Sequence, residues 1–86
     1  MSKVLYFSAE WCNPCKAMKP IIEKFEEDHS DVQIIRIDAD NQIELVKKHS
    51  VQSIPTFILL NENEEEVNRH RGAMTELTFD TFIYGE

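Results

Sequence analysis

The sequence places its only two cysteines, Cys12 and Cys15, in the stretch Trp11-Cys12-Asn13-Pro14-Cys15-Lys16. Before it runs an apolar, strand-like segment, Val4-Leu5-Tyr6-Phe7, and after it a helix-like one. A disulfide across so few residues closes a tiny ring, which removes little entropy from the unfolded chain. Such a bond suits a pair that is made and broken better than one that staples a fold. The same stretch constrains the architecture: a strand must end just before the pair, and a helix must begin at it.

The rest of the chain can be laid out around that junction. Val4-Leu5-Tyr6-Phe7 is nearly unbroken in its apolar character, as in a strand buried on both faces of a parallel sheet. Pro14 falls in the first turn of the next helix, where its missing N–H costs nothing. Cys15, Met18, Ile21, Ile22 and Phe25 then recur at helical spacing, and Pro20 is expected to kink that helix. A second strand, about 32–37, is rich in β-branched residues. Asp38-Ala39-Asp40-Asn41 reads as a turn or cap before a short helix whose face carries Ile43, Leu45 and Val46. Thr56-Phe57-Ile58-Leu59-Leu60 is a third buried strand, and Asn61-Glu62-Asn63-Glu64 suits a hairpin into a polar edge strand over 66–71. Gly72 ends it, and Thr75 caps a last helix with Leu77, Phe79, Phe82 and Ile83 on its core face. The order is β-α-β-α-β-β-α, an α/β fold with one four-stranded mixed sheet and three helices. The first two strands, joined by a helical crossover, are expected to be parallel.

Length and charge narrow the partners. Eighty-six residues suit a single domain over 1–86 with a modest core. A formal charge of −7 disfavours nucleic acid and anionic membranes, both of which repel an acidic surface. No apolar run is long enough to span a bilayer, and the start of the chain reads as a strand rather than an export signal. A reducing cytoplasm is therefore the expected compartment, and there a CxxC pair is catalytic or metal-binding rather than structural. A zinc site would need two further ligands. Only His29, His49 and His70 remain, each isolated, with no second CxxC, so no metal is expected. None of the histidines stands at triad-like spacing to Cys12, which argues against a cysteine hydrolase.

The element order, together with Ala9-Glu10-Trp11-Cys12-Asn13-Pro14-Cys15-Lys16, Pro20, Ser53-Ile54-Pro55-Thr56 and Gly72-Ala73, resembles the thioredoxin family over nearly the whole chain, 4–83. The resemblance is to a compact, minimal thioredoxin fold, without the strand and helix that usually precede the motif strand. It departs from the family in two more places. Asn13 stands where a glycine is usual, and Tyr6 stands where members carry a buried acid that helps move protons at the second cysteine. The acid's usual lysine neighbour corresponds to Arg36.

The resemblance implies a thiol–disulfide oxidoreductase that reduces protein disulfides, with no bound cofactor. Reducing equivalents would come from NADPH through a thioredoxin reductase. Cys12, at a helix start, meets unsatisfied N–H groups and the positive end of the helix dipole, which favour the attacking thiolate. Cys15, one turn on and expected to be more buried, would attack the mixed disulfide and release the reduced substrate. Asn13 and Pro14 would tune the potential through the N–H groups facing Cys12; a plain surface replacement is an equal reading of Asn13. Trp11 would shield the sulfur and touch substrate, or simply pack. Pro55 would be cis and leave the Ile54 backbone free to pair with an extended substrate, where the bland reading is a proline that starts a strand. Gly72 and Ala73 would complete a flat apolar patch, or be only a turn. Tyr6 is most simply a core aromatic; the sharper reading joins its hydroxyl with Arg36 or a water in place of the missing acid. Beside an oxidant or isomerase, which the same residues would serve at a higher potential, two other functions stay open at this point. One is a glutaredoxin-like enzyme recycled by glutathione, suggested by length. The other is a thioredoxin-fold binding module in which the dithiol is incidental. A monomer is expected, with one sheet edge left open to pairing.

Overall fold

The computed structural model describes residues 1–85. Its elements are β1 (Ser2–Ser8), α1 (Asn13–Asp28), β2 (Val32–Asp38), α2 (Ile43–Lys48), β3 (Thr56–Leu60), β4 (Glu66–Arg71) and α3 (Glu76–Tyr84). The four strands form one mixed sheet in the order β2-β1-β3-β4. β1 and β2 run parallel, Tyr6 opposite Arg36, while β3 is antiparallel to both β1 and β4. The β-α-β-α-β-β-α order and the parallel first pair are as the sequence implies. The edge strand β4 carries an irregularity opposite Leu59 and Leu60, which leaves Val67 outside the regular register.

Side chains alternate across a strand, so β1 feeds two cores. Val4 and Tyr6 face α1 and α3, packing with Met18, Ile22, Phe25, Phe57, Phe79 and Phe82. Leu5 and Phe7 face the other way with Ile37, Ile58 and Leu60, covered in part by Leu45, Val46 and Val51. Tyr6 stacks on Phe57 with ring centroids 4.9 Å apart, and Phe25 meets Phe79 edge-on at 5.0 Å. At the far end of the sheet the Tyr84 hydroxyl lies 3.1 Å from His29 Nδ1 and donates to the Asp31 carboxylate, clasping the ends of α1 and α3 together. Burial and Asp31 push that phenol up to about 12.

Two expected core positions are corrected. Ile43 is 53% exposed and Leu77 is 75% exposed. α2 has only six residues and rests on Leu45 and Val46, so its first residue overhangs the sheet. α3 turns Phe79 and Phe82 inward, which carries Leu77 around to solvent. Pro20 lies within an α1 that is continuous from Asn13 to Asp28. No helix among the described residues is long and apolar enough to cross a membrane.

Candidate active site

Strand directions decide where the site forms. β1, β2 and β4 end, and β3 begins, at the same edge of the sheet. The segments after Ser8, Asp38 and Arg71 and the one before Thr56 therefore converge there. They bring Trp11 to Cys15, Asp40, Ile54-Pro55 and Gly72-Ala73 to one end of the molecule.

Cys12 is the N-cap of α1. Its backbone N–H donates to Ala9 O at 3.1 Å, and its Sγ accepts the Cys15 N–H at 3.2 Å. The cap geometry thus aims a helix donor at the first sulfur, and a donor there favours a thiolate over a thiol. Cys12 and Cys15 are joined as a disulfide, with Cα atoms 5.2 Å apart. The two residues are 3% and 5% exposed, so the expected greater burial of Cys15 is not seen in this oxidised state, where the bond turns the side chains toward each other. Asn13 and Pro14 are both exposed on the first turn.

Trp11 is 66% exposed, yet its indole N–H donates to Asp40 Oδ2 at 2.9 Å. Asp40 lies in the turn after β2, as the residue pattern implies, and its place beside Trp11 is what that pattern does not show. The signal lay in the topology: parallel neighbours β1 and β2 put the loops that follow them side by side. The Ile54–Pro55 bond is cis, Pro55 is buried, and its carbonyl accepts the Gly72 N–H at 2.8 Å. Ile54 is half-buried against both cores. Gly72 has φ +100°, a conformation that L side chains rarely adopt, although open space surrounds its Cα. Just beyond Ala73, the Met74 N–H donates to Met18 Sδ at 3.2 Å and ties the segment to α1.

Behind the dithiol, the Tyr6 hydroxyl donates to the Cys15 carbonyl at 3.0 Å. Burial raises the Tyr6 phenol above its ordinary value, against the opposing pulls of the Ser8 hydroxyl and Arg36. Arg36 is next to Tyr6 in the sheet, but its guanidinium makes a two-pronged pair with Glu26 at 2.9 and 2.7 Å. That pairing raises Arg36 and lowers Glu26. Tyr6 is thus brought to the second cysteine, whereas the Arg36 head group is committed to α1. His29, His49 and His70 lie apart from the dithiol, packed on Phe25, Phe7 and Phe82. Among the described residues there is no group of three or more side chains able to hold a metal ion.

The Thioredoxin family model matches residues 1–84. The chain belongs to the thioredoxin family. It is 42% identical over 77 residues to Thioredoxin 2 of Plasmodium berghei, covering 87% of this chain and 49% of that one. To Thioredoxin-2 of Saccharomyces cerevisiae it is 41% identical over 70 residues, 81% of this chain and 66% of the relative. The crystal structure of thioredoxin NaTrxh from Nicotiana alata superposes with a TM-score of 0.86 at 35% identity, covering 93% of this chain and 68% of that one. The chain spans about half the length of several of the curated relatives it matches. This thioredoxin-family chain carries its dithiol at the head of α1, with the Tyr6 phenol behind it.

Proposed function

We propose that this chain is a thiol–disulfide oxidoreductase that reduces protein disulfides. The observation that carries the reading is the placement of Cys12 as the cap of a 16-residue helix, with the Cys15 N–H directed at its sulfur. In the reduced protein the Cys12 thiolate attacks one sulfur of a target disulfide. A bond forms between Cys12 and that sulfur, the target's S–S bond breaks, and the first target thiolate leaves and takes a proton. Cys15 then loses its proton and attacks the Cys12 sulfur. The second target thiolate leaves, and the protein is left with the Cys12–Cys15 bond. Two electrons pass from dithiol to target.

Ile54, Pro55, Gly72, Ala73 and Trp11 form the surface that receives the target. No hydrogen bond engages the Ile54 backbone among the described residues, which leaves it available to an extended peptide. The protein needs no bound cofactor in this reading. It is returned to the dithiol by a thioredoxin reductase drawing on NADPH, and it works as a monomer in the cytoplasm. The family assignment favours this over recycling by glutathione.

Coupled turnover tests the reading. With NADPH, a thioredoxin reductase and insulin as a protein disulfide, NADPH consumption should depend on this protein and vanish in the Cys12→Ser, Cys15→Ser double variant. Turnover supported only by glutathione and glutathione reductase would instead assign the glutaredoxin-like activity. A double variant that is fully active would mean the dithiol is incidental.

A further inference from the structure

Cys15 forms part of the wall of a cavity of about 620 Å³ between β1, β2 and the first turns of α1. In the resolving step Cys15 must give up a proton, because the thiolate rather than the thiol attacks. Among the described residues, no hydrogen bond ties the Cys15 sulfur to an acid or base of the wall; Cys15 bonds only through its backbone, to Cys12 Sγ and to the Tyr6 hydroxyl. From β1, the Tyr6 hydroxyl is spent on the Cys15 carbonyl, and its phenol is held above the ordinary value by burial. A phenol accepts no proton at neutral pH. From β2, Arg36 is a permanent cation bound to Glu26, and Asp38 accepts hydrogen bonds from the Asp40 N–H and the Asn41 amide in its own turn. From α1 and the loop before it, Lys16, Lys19, Glu10 and Glu23 belong to exposed residues at the mouth. Glu23 is eight residues past Cys15, about 12 Å along the helix axis. The volume holds several water molecules at about 30 Å³ each.

We propose that this cavity is the proton exit for Cys15: a base carried by solvent enters between α1 and β2 and takes the thiol proton as the sulfur attacks Cys12. The base leaves as its conjugate acid, the Cys15–Cys12 bond forms, and the target thiolate departs. Tyr6 is a positioning residue, holding the Cys15 turn by its carbonyl. The inference rests on the dithiol reading given above.

Single-turnover kinetics of the reduced protein with a disulfide target separate the two steps. At fixed pH and ionic strength, raising imidazole base about tenfold should speed resolution of the mixed disulfide severalfold. Formation of the mixed disulfide should stay unchanged, because Cys12 needs no such help. In phosphate, Lys19→Glu should lower the buffer dependence of resolution while the imidazole dependence persists, since the cation at the mouth draws in the dianion. Tyr6→Asp places a carboxylate behind Cys15 and should flatten both dependences; should that variant not fold, the wild-type and Lys19→Glu rates still decide. A resolution rate indifferent to buffer base overturns the proposal. Equal phosphate dependence in wild type and Lys19→Glu overturns the cavity route. Failure to form any mixed disulfide overturns the dithiol reading itself, and this inference with it.

Discussion

The Tyr6 hydroxyl donates to the Cys15 carbonyl at 3.0 Å, so the central strand β1 is fastened to the first turn of α1. Tyr6→Phe removes that bond and nothing else of the ring. It should lower stability by about 1 kcal/mol in a urea titration at neutral pH. The phenol's folded value lies above its unfolded one. Its contribution is therefore whole below pH about 10 and is lost as pH rises through the folded value. Between pH 6 and 8 the shape of the pH–rate profile should be the same in both proteins; a changed profile would make the hydroxyl a proton carrier.

Cys15→Ser should stop turnover at the mixed disulfide. The variant keeps Cys12 at the helix head but lacks the thiol that releases the target. Mass spectrometry after mixing with a disulfide target should find the covalent adduct on Cys15→Ser and none on Cys12→Ser. Adducts on both, or on neither, would reverse or remove the assigned roles.

The Arg36–Glu26 pair ties β2 to α1, and Arg36 lowers the Glu26 carboxyl. A lowered folded value means stability that is present above the unfolded carboxyl value and lost as pH falls through the folded one. Both side chains are well exposed, at 48% and 37%, so solvent screening limits the effect. Glu26→Gln should cost less than about 1 kcal/mol at neutral pH. That difference should shrink as pH falls below about 4, where the wild-type carboxyl also becomes neutral. Paired urea titrations at the two pH values check it.

Trp11 is the only tryptophan, and its indole is anchored to Asp40 beside the dithiol. Its fluorescence should therefore change when Cys12–Cys15 is reduced. Asp40→Ala should shift the emission of both redox states while costing no more than about 1 kcal/mol of stability. An emission spectrum blind to Asp40 would place the indole elsewhere in solution.

Much of this arrangement can be read from residue patterns, and the rest resists for identifiable reasons. Helical spacing picks out Met18, Ile22 and Phe25 because α1 has four turns over which a face repeats. It misleads at Ile43 and Leu77, because periodicity gives the angle between side chains but not the way a short helix lies on a sheet. The dithiol is legible from its spacing, and the positions of Pro55 and Gly72 from resemblance to a family. Asp40 and Glu26 are not legible in that way. Their partners, Trp11 and Arg36, lie 29 and 10 residues away, and only the parallel pairing of β1 with β2 and the packing of α1 bring them within reach.

Reduction of a target disulfide requires that Cys12 and Cys15 form a reducing dithiol. Its reduction potential, from equilibration against dithiothreitol or glutathione redox buffers with the oxidised fraction read by alkylation, tests that claim most directly. A reducing dithiol should give a value near that of thioredoxin, about −270 mV. A value at or above about −180 mV, in the range of protein disulfide isomerase, would contradict a reductase and make the protein a donor of disulfides instead.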